Sequence, residues 1–240
     1  MTTETVRTYR DSALHPLDDP VRSSLRGAHA RFAVWSGRIA RYDHEVAGFI
    51  GHPPHLDERD WVDLAALTGP SAEASLRGAH VPPAGWEVLD HVGSVQLDGS
   101  NVDVASDPDV VVLGSDDVPQ MLDLVARTEP GPFRARTIEM GTYLGFLDEG
   151  RLVALAGERM NPDGWTEISA VCTDPRFRKR GLSTRLVRAV GYGIRARGEI
   201  PFLHARADNH TAIRLYESLG FTIRQRSVLT VVRTPGDGRQ

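Results

Sequence analysis

Cysteine and lysine are each represented once in these 240 residues, by Cys172 and Lys179, in a chain that carries 28 basic groups. A single thiol excludes an intrachain disulfide and fits a reducing compartment. Long apolar runs are missing as well. The longest run of valine, leucine and isoleucine, at 110–113, is far short of the roughly 18 residues a membrane span needs. The opening MTTETVRTYRDSALHPL has no apolar block behind a basic head, so no secretory leader is expected and the chain reads as cytoplasmic, with no membrane partner. There is no G-x-x-x-x-G-K-S/T and therefore no P-loop. Gly191-Tyr192-Gly193 lacks a third glycine and falls inside a helical pattern, which excludes a dinucleotide fingerprint. His52, His55 and His80 have no cysteine or further ligand at a useful spacing, so no metal is expected. No repeat of solenoid period is present.

What is present is ordinary for a globular protein: 40% apolar and 25% charged residues. The net charge of −4 is unevenly spread. Residues 1–105 hold nine arginines against fifteen acids, while 106–240 hold nineteen basic groups against seventeen acids. Six of those cations (Arg176, Arg178, Lys179, Arg180, Arg185 and Arg188) fall within 174–188 beside one acid, Asp174. So local an excess suits a compact anionic ligand and not a nucleic acid, which would demand a broader basic face.

The stretch 97–108 is polar, carries glycine and ends at Pro108, and so reads as a linker between two halves, divided at 105/106. In the first half, Pro and Gly clusters at 51–54, 69–70 and 82–85 leave a helix over 60–67 and strands at 86–89 and 92–97, with no chemistry motif. The second half predicts a strand at 109–113, then a helix capped by Ser115 or Asp116 with Val118, Met121, Leu122 and Val125 on one face. Strands at 143–147 and 152–158 are joined by Asp148-Glu149-Gly150, and a third strand spans 165–173. Leu182, Leu186, Val190 and Ile194 form the stripe of a helix that Gly198 ends. A strand at 201–206, a helix at 209–219 and two strands within 221–232 complete a mixed α/β sheet. The polar tail from Pro235 is expected to fray.

The chemistry concentrates at 171–184, VCTDPRFRKRGLST. A strand ends, proline forbids its continuation, three basic residues follow, and Gly181 opens a helix. The first amides of a helix have no internal partner and carry partial positive charge, so they bind phosphate. Gly181 and Ser183 keep the approach free of bulky side chains, and Arg178, Lys179 and Arg180 raise the local potential. The segment is suited to a pyrophosphate.

Arg178-Lys179-Arg180-Gly181-Leu182-Ser183 resembles the R/Q-x-x-G-x-G/A signature of the GCN5-related N-acetyltransferase (GNAT) superfamily, with serine in place of the final Gly or Ala. Asn209-His210-Thr211-Ala212-Ile213-Arg214-Leu215-Tyr216-Glu217-Ser218-Leu219-Gly220-Phe221 is similar to that superfamily's second hallmark, N-x-x-A-x-x-L-Y-x-x-x-G-F. The resemblance covers about 109–233, and the wording EISAVCTDP and FLHARADN looks most like the FR47-like branch related to glycine N-acyltransferase. It implies a GNAT-fold catalytic domain at 106–240, preceded by a smaller degenerate GNAT-like domain at 1–105. It further implies acetyl-CoA as co-substrate and a small-molecule or peptide amine as acceptor, with a homodimer left open.

Residue by residue, the resemblance places Val171, Cys172 and Thr173 along the pantetheine arm, with the Val171 amide facing the thioester oxygen. Arg178, Lys179, Arg180, Gly181, Leu182, Ser183 and Thr184 would hold the pyrophosphate. Asn209 would contact the coenzyme, and Tyr216 would protonate the departing thiolate. For the base two candidates stand level. His204 lies five residues before Asn209, where some relatives carry glutamate, and imidazole titrates near neutrality. Glu167 lies on the preceding strand, and Glu158 is a further candidate. Strict alternation puts Glu167, Ser169, Val171 and Thr173 on one face. Cys172 is expected to be a small buried hydrophobe and not a nucleophile. Gly191 and Gly193 are expected to let their helix pack closely on the sheet. The alternative to an enzyme is a non-catalytic acyl-CoA sensor, which needs the basic turn but neither Tyr216 nor a base.

Overall fold

Caps and apolar stripes set the helices, and a computed structural model describes how they close around the strands over residues 15–236. Most of the opening read as leaderless, and the end of the tail expected to fray, lie outside that range.

The first part contains α1 (Pro20–Arg26), β1 (Ala33–Ser36), β2 (Ile39–Tyr42), β3 (Ile50–Gly51) and α2 (Glu58–Thr68), followed by β4 (Glu73–Arg77) and β5 (Glu87–Asp98). α2 is longer than its apolar pattern suggested because Asp57 and Asp60 form a reciprocal capping box at its start. The second part contains β6 (Val111–Leu113), α3 (Val118–Thr128), β7 (Tyr143–Asp148), β8 (Arg151–Glu158), β9 (Trp165–Thr173), α4 (Leu182–Ala196), β10 (Ile200–Arg206), α5 (His210–Ser218) and β11 (Thr222–Arg233). Neither Ser115 nor Asp116 caps α3. Both fall in a short 3-10 turn, and Asp117 instead accepts the Gly114 amide. Glu149 and Gly150 both take positive φ between β7 and β8, as a two-residue hairpin requires.

β1, β2 and β3 form a small sheet of their own, while eight strands make the main sheet in the order β4-β11-β5-β10-β9-β8-β7-β6. The boundary expected at 105/106 therefore does not separate two sheets, since β5 lies between β11 and β10, antiparallel to both. The two strands expected at 86–97 are one, and so are the two expected at 221–232. Nor is 97–108 a free linker. It is a strap laid on α4 and α5: Ala105 donates to the Arg188 carbonyl, Asp103 to that of Leu219, and Asp107 holds Arg185. Gly191 accommodates the strap, because a Cβ there would meet Val104 at 2.9 Å, with Ile168 of the sheet at 3.8 Å. Gly193 has no such neighbour, so close packing accounts for one glycine of the pair.

α4 and α5 cover one face of the main sheet, over a core that includes Val95, Leu97, Ile168, Leu186, Val190, Leu203 and Tyr216. α3 covers part of the other face through Leu124, Tyr143, Leu155 and Cys172, and the three-stranded unit docks there through Tyr42, Val46 and Met140. His29 stitches this docking: one ring nitrogen meets the Tyr42 hydroxyl at 2.9 Å and the other the Met140 carbonyl at 3.0 Å. Among the described residues no helix is long and apolar enough to cross a membrane.

Candidate active site

The turn after β9 is built as its sequence suggests. Asp174 begins it by accepting the Arg176 amide and side chain, and Arg127 approaches the same carboxylate at 2.5 Å. These bonds, those of Arg176 first, hold the Asp174 carboxyl well below the ordinary carboxylate range. Lys179 and Gly181 both adopt left-handed backbone, with φ of 65° and 75°, which curls the chain into the first turn of α4. No side chain caps that turn, and the Leu182, Ser183 and Thr184 amides have no backbone acceptor among the described residues. Thr173 Oγ1 and Ser183 Oγ lie 3.0 Å apart, pinning the helix start to the strand end.

The six cations of this region then divide in two. Arg176 is paired with Asp174, Arg185 with Asp107 and Asp109, and Arg188 with Asp103. Arg178, Lys179 and Arg180 are exposed and have no carboxylate partner among the described residues. Arg180 instead lies over the Phe177 ring at 4.7 Å. Three positive charges beside the positive end of a helix are unfavourable without an anion.

β9 and β10 form the one parallel pair of the main sheet, and they pair only over Trp165–Glu167 against Ile200–Phe202. Among the described residues, β9 has no strand on its β10 side from Ile168 onward, an edge that could accept an extended ligand. Strict alternation fails along it. Ala170 takes a φ of 54°, and the pairing with β8 slips between Leu155 and Gly157, so Ala170 and Val171 together oppose Ala156. This bulge reverses the facing. Ile168 and Val171 pack toward α4, whereas Glu167 lies on the opposite face and Cys172 packs under α3. Cys172 can therefore offer a coenzyme only its backbone, and burial pushes its thiol up to about 11, in keeping with an inert side chain.

Asn209 caps α5, its side-chain oxygen accepting the Ala212 amide at 3.1 Å, which leaves its NH₂ group for other partners. Seven residues further along the same helix, Tyr216 is buried in the α4 face with its ring edge-on to Phe221. Burial pushes its phenol up to about 12, so it stays protonated across the neutral range.

His204 and Glu167, level as candidate bases, turn out to be bonded to each other. His204 Nδ1 lies 2.7 Å from Glu167 Oε1. Arg159 grips both oxygens of the same carboxylate at 2.7 Å, with its guanidinium over the Phe49 ring. Burial alone would raise the Glu167 carboxyl; the Arg159 charge and bonds and the His204 ring outweigh it and bring the group down to about 2. With both oxygens engaged, Glu167 is placed to orient the His204 ring. His204 Nε2 is met at 3.1 Å by Gln96 of β5, whose oxygen accepts from Arg224. Glu158 is bonded to Arg197 and the Thr142 amide on the α4 face, away from this network.

Arg159, Gln96 and Arg224 carried no signal in the sequence. Their roles depend on strand neighbours far apart in the chain, and only a polar residue at an inward strand position, such as Gln96, hints at one. His52 is also spoken for, with its ring nitrogens bonded to the Pro53 carbonyl and the Arg77 amide. No group of three metal-ligating side chains occurs among the described residues. A cleft of about 400 Å³ is lined by Arg127, Arg151, Asp174, Pro175 and Arg176, at the start of the turn.

Comparison with known proteins finds related acetyltransferases. The model of the FR47-like protein family matches residues 143–229. The [ribosomal protein bS18]-alanine N-acetyltransferase of Salmonella typhimurium is 30% identical over 118 residues, which is 47% of this chain and 79% of that protein. The N-alpha-acetyltransferase RimI of Mycobacterium tuberculosis is 37% identical over 82 residues, 33% of this chain; the match spans about half of that relative, 51% of its length. Among solved structures, an acetyltransferase of the GNAT family from Novosphingobium aromaticivorans is 41% identical, with a TM-score of 0.83 over 91% of this chain and 98% of that one.

Proposed function

The chain belongs to the GNAT superfamily of N-acetyltransferases, and from that premise we propose that it transfers an acetyl group from acetyl-CoA to the amine of an acceptor. The observation that carries the proposal is the head of α4, where three uncapped amides and three unpaired cations converge. Arg178, Lys179 and Arg180 supply charge, Gly181 and Leu182 to Thr184 supply backbone donors, and together they suit a pyrophosphate. The open edge of β9 at Val171–Thr173 suits the extended arm of the same ligand, and the NH₂ group of Asn209 is free to contact it.

Acetyl-CoA supplies the activated carbonyl, and the chain supplies the proton handling. His204, oriented by Glu167, takes a proton from the amine at Nε2. The Val171 amide, at the bulge on the open edge, donates to the oxygen on which charge develops. Tyr216, kept as a phenol by burial, gives its proton to the departing sulfur.

The names of two relatives point to α-amine acceptors, so a peptide with a free N-terminal alanine is the first acceptor to test, followed by small-molecule amines. In a thiol-release assay with acetyl-CoA, release that depends on one of these amines supports the proposal. Coenzyme binding without release against the whole panel supports the second reading, an acyl-CoA sensor. The observation that favours that second reading is the full engagement of Glu167 and His204 by other side chains.

A further inference from the structure

His204 sits between two partners of opposite character. Glu167 accepts from Nδ1, and Gln96 Nε2 faces ring Nε2. The Gln96 amide is fixed from outside the ring, because Arg224 donates to its oxygen at 2.9 Å and its nitrogen donates to the Leu17 carbonyl at 2.9 Å. An amide nitrogen only donates. Its second N–H must therefore point at a lone pair on ring Nε2, which places the ring proton on Nδ1. We infer that Gln96, supplied by β5 from the first part of the chain, is a positioning residue of the active site: it fixes the tautomer of His204 and holds a donor against the one ring nitrogen that can take a proton. The inference rests on the reading of His204 as the base.

The arrangement has a chemical logic. An acceptor ammonium is also an N–H donor, so it replaces Gln96 like for like at Nε2. The proton then passes from the ammonium to Nε2, the nitrogen keeps the electron pair with which it attacks the thioester carbonyl, and the positive charge moves onto a ring backed by Glu167. A protonated Nε2 cannot keep the Gln96 contact, since two N–H groups would face each other. The charged groups around the ring are Glu167 from β9, Arg159 beyond β8, Arg224 from β11, Asp18 from the N-terminal turn and Arg206 on β10 itself. They are paired as Arg159 with Glu167, Arg224 with Asp18, and Arg206 with Asp208. Gln96 is the neutral neighbour whose replacement alters the ring's proton affinity without breaking one of those pairs.

The test uses the whole protein labelled with ¹⁵N-histidine, in the parent, Gln96→Leu and Gln96→Glu forms. The His204 signals are identified by their loss in His204→Gln. The parent ring is expected as the Nδ1–H tautomer. Losing the donor in Gln96→Leu should make proton uptake by the ring about tenfold more favourable, a shift of about one pH unit. Gln96→Glu, whose carboxylate accepts from a protonated Nε2, should shift it further. The acid limb of the pH–rate profile should move in the same order. Ring signals that respond to pH identically in all three forms would overturn the inference. A ring that shifts while the acid limb stays fixed upholds the Gln96 contact and removes His204 from the role of base. Gln96→Glu conserves shape, so the order of parent and Glu forms is readable even if Gln96→Leu fails to fold.

Discussion

At the head of α4, Arg178, Lys179 and Arg180 stand exposed and without carboxylate partners among the described residues; across the sheet, Arg159 and Arg224 each have one, and Arg159 is gripped by both oxygens of a fully buried Glu167. The two regions use the same guanidinium chemistry for opposite ends. A charge removed from water must be paired within the protein, and once paired it holds structure in place. A charge left unpaired beside a helix N-terminus is a cost to the free protein that an anion relieves. On the proposed reading, the contrast separates what would bind from what supports, even among neighbours. Arg176 and Arg185 lie in the same basic run as Arg178 and Arg180, yet their carboxylate partners assign them to the frame.

This comparison can be sharpened by breaking each side in turn. The largest effect is expected at Tyr216, where the chemistry of the basic side ends. Tyr216→Phe should lower turnover roughly 10–10⁴-fold with little change in coenzyme affinity, and unchanged turnover in a steady-state assay would remove it as the acid. On the buried side, Arg159→Met leaves the Glu167 carboxylate in the interior with His204 but without its guanidinium and should cost about 3–5 kcal/mol in denaturant unfolding. Arg159→Met combined with Glu167→Leu should recover much of that loss, because an apolar pair needs no solvation.

Acid provides a gentler probe of the same pair. Glu167 titrates in the folded chain at about 2, below its ordinary 4.5. Its contribution is therefore complete above about 4.5 and is lost as pH falls toward 2. Glu167→Gln should flatten the acid limb of the stability profile over that window, and a limb as steep as the parent's would contradict the pairing. The smallest effect belongs to Arg176→Ala. Already held by Asp174, it should leave coenzyme affinity within about twofold of the parent in a binding titration, as a side chain outside the anion site.

Much of this was legible in the sequence, and the exceptions share a cause. The stripe from Leu182 to Ile194, the helix read over 209–219 and the hairpin at Glu149-Gly150 are local signals, and each element formed where its signal lay. The basic turn was legible for the same reason: proline, cations, glycine and helix start are consecutive. The bulge was not, because Ala170 adopts a left-handed conformation that its residue type does not announce, and one such residue reversed the facing of everything beyond it. The place of β5 was hidden because its partners lie over a hundred residues away, at Phe202–Arg206 and Thr222–Arg233. Gln96 was hidden with it. The sequence named His204 and Glu167 as rivals; only the sheet register brought them to the same hydrogen bond.

The most direct measurement is a calorimetric titration of coenzyme A into the parent and the Arg178→Ala/Arg180→Ala form at low and high salt. Affinity weaker by about 10–100-fold in the double variant, with a shallower dependence on salt, is the result expected if the pyrophosphate sits at the head of α4. Equal affinity and equal salt dependence in the two proteins would contradict it.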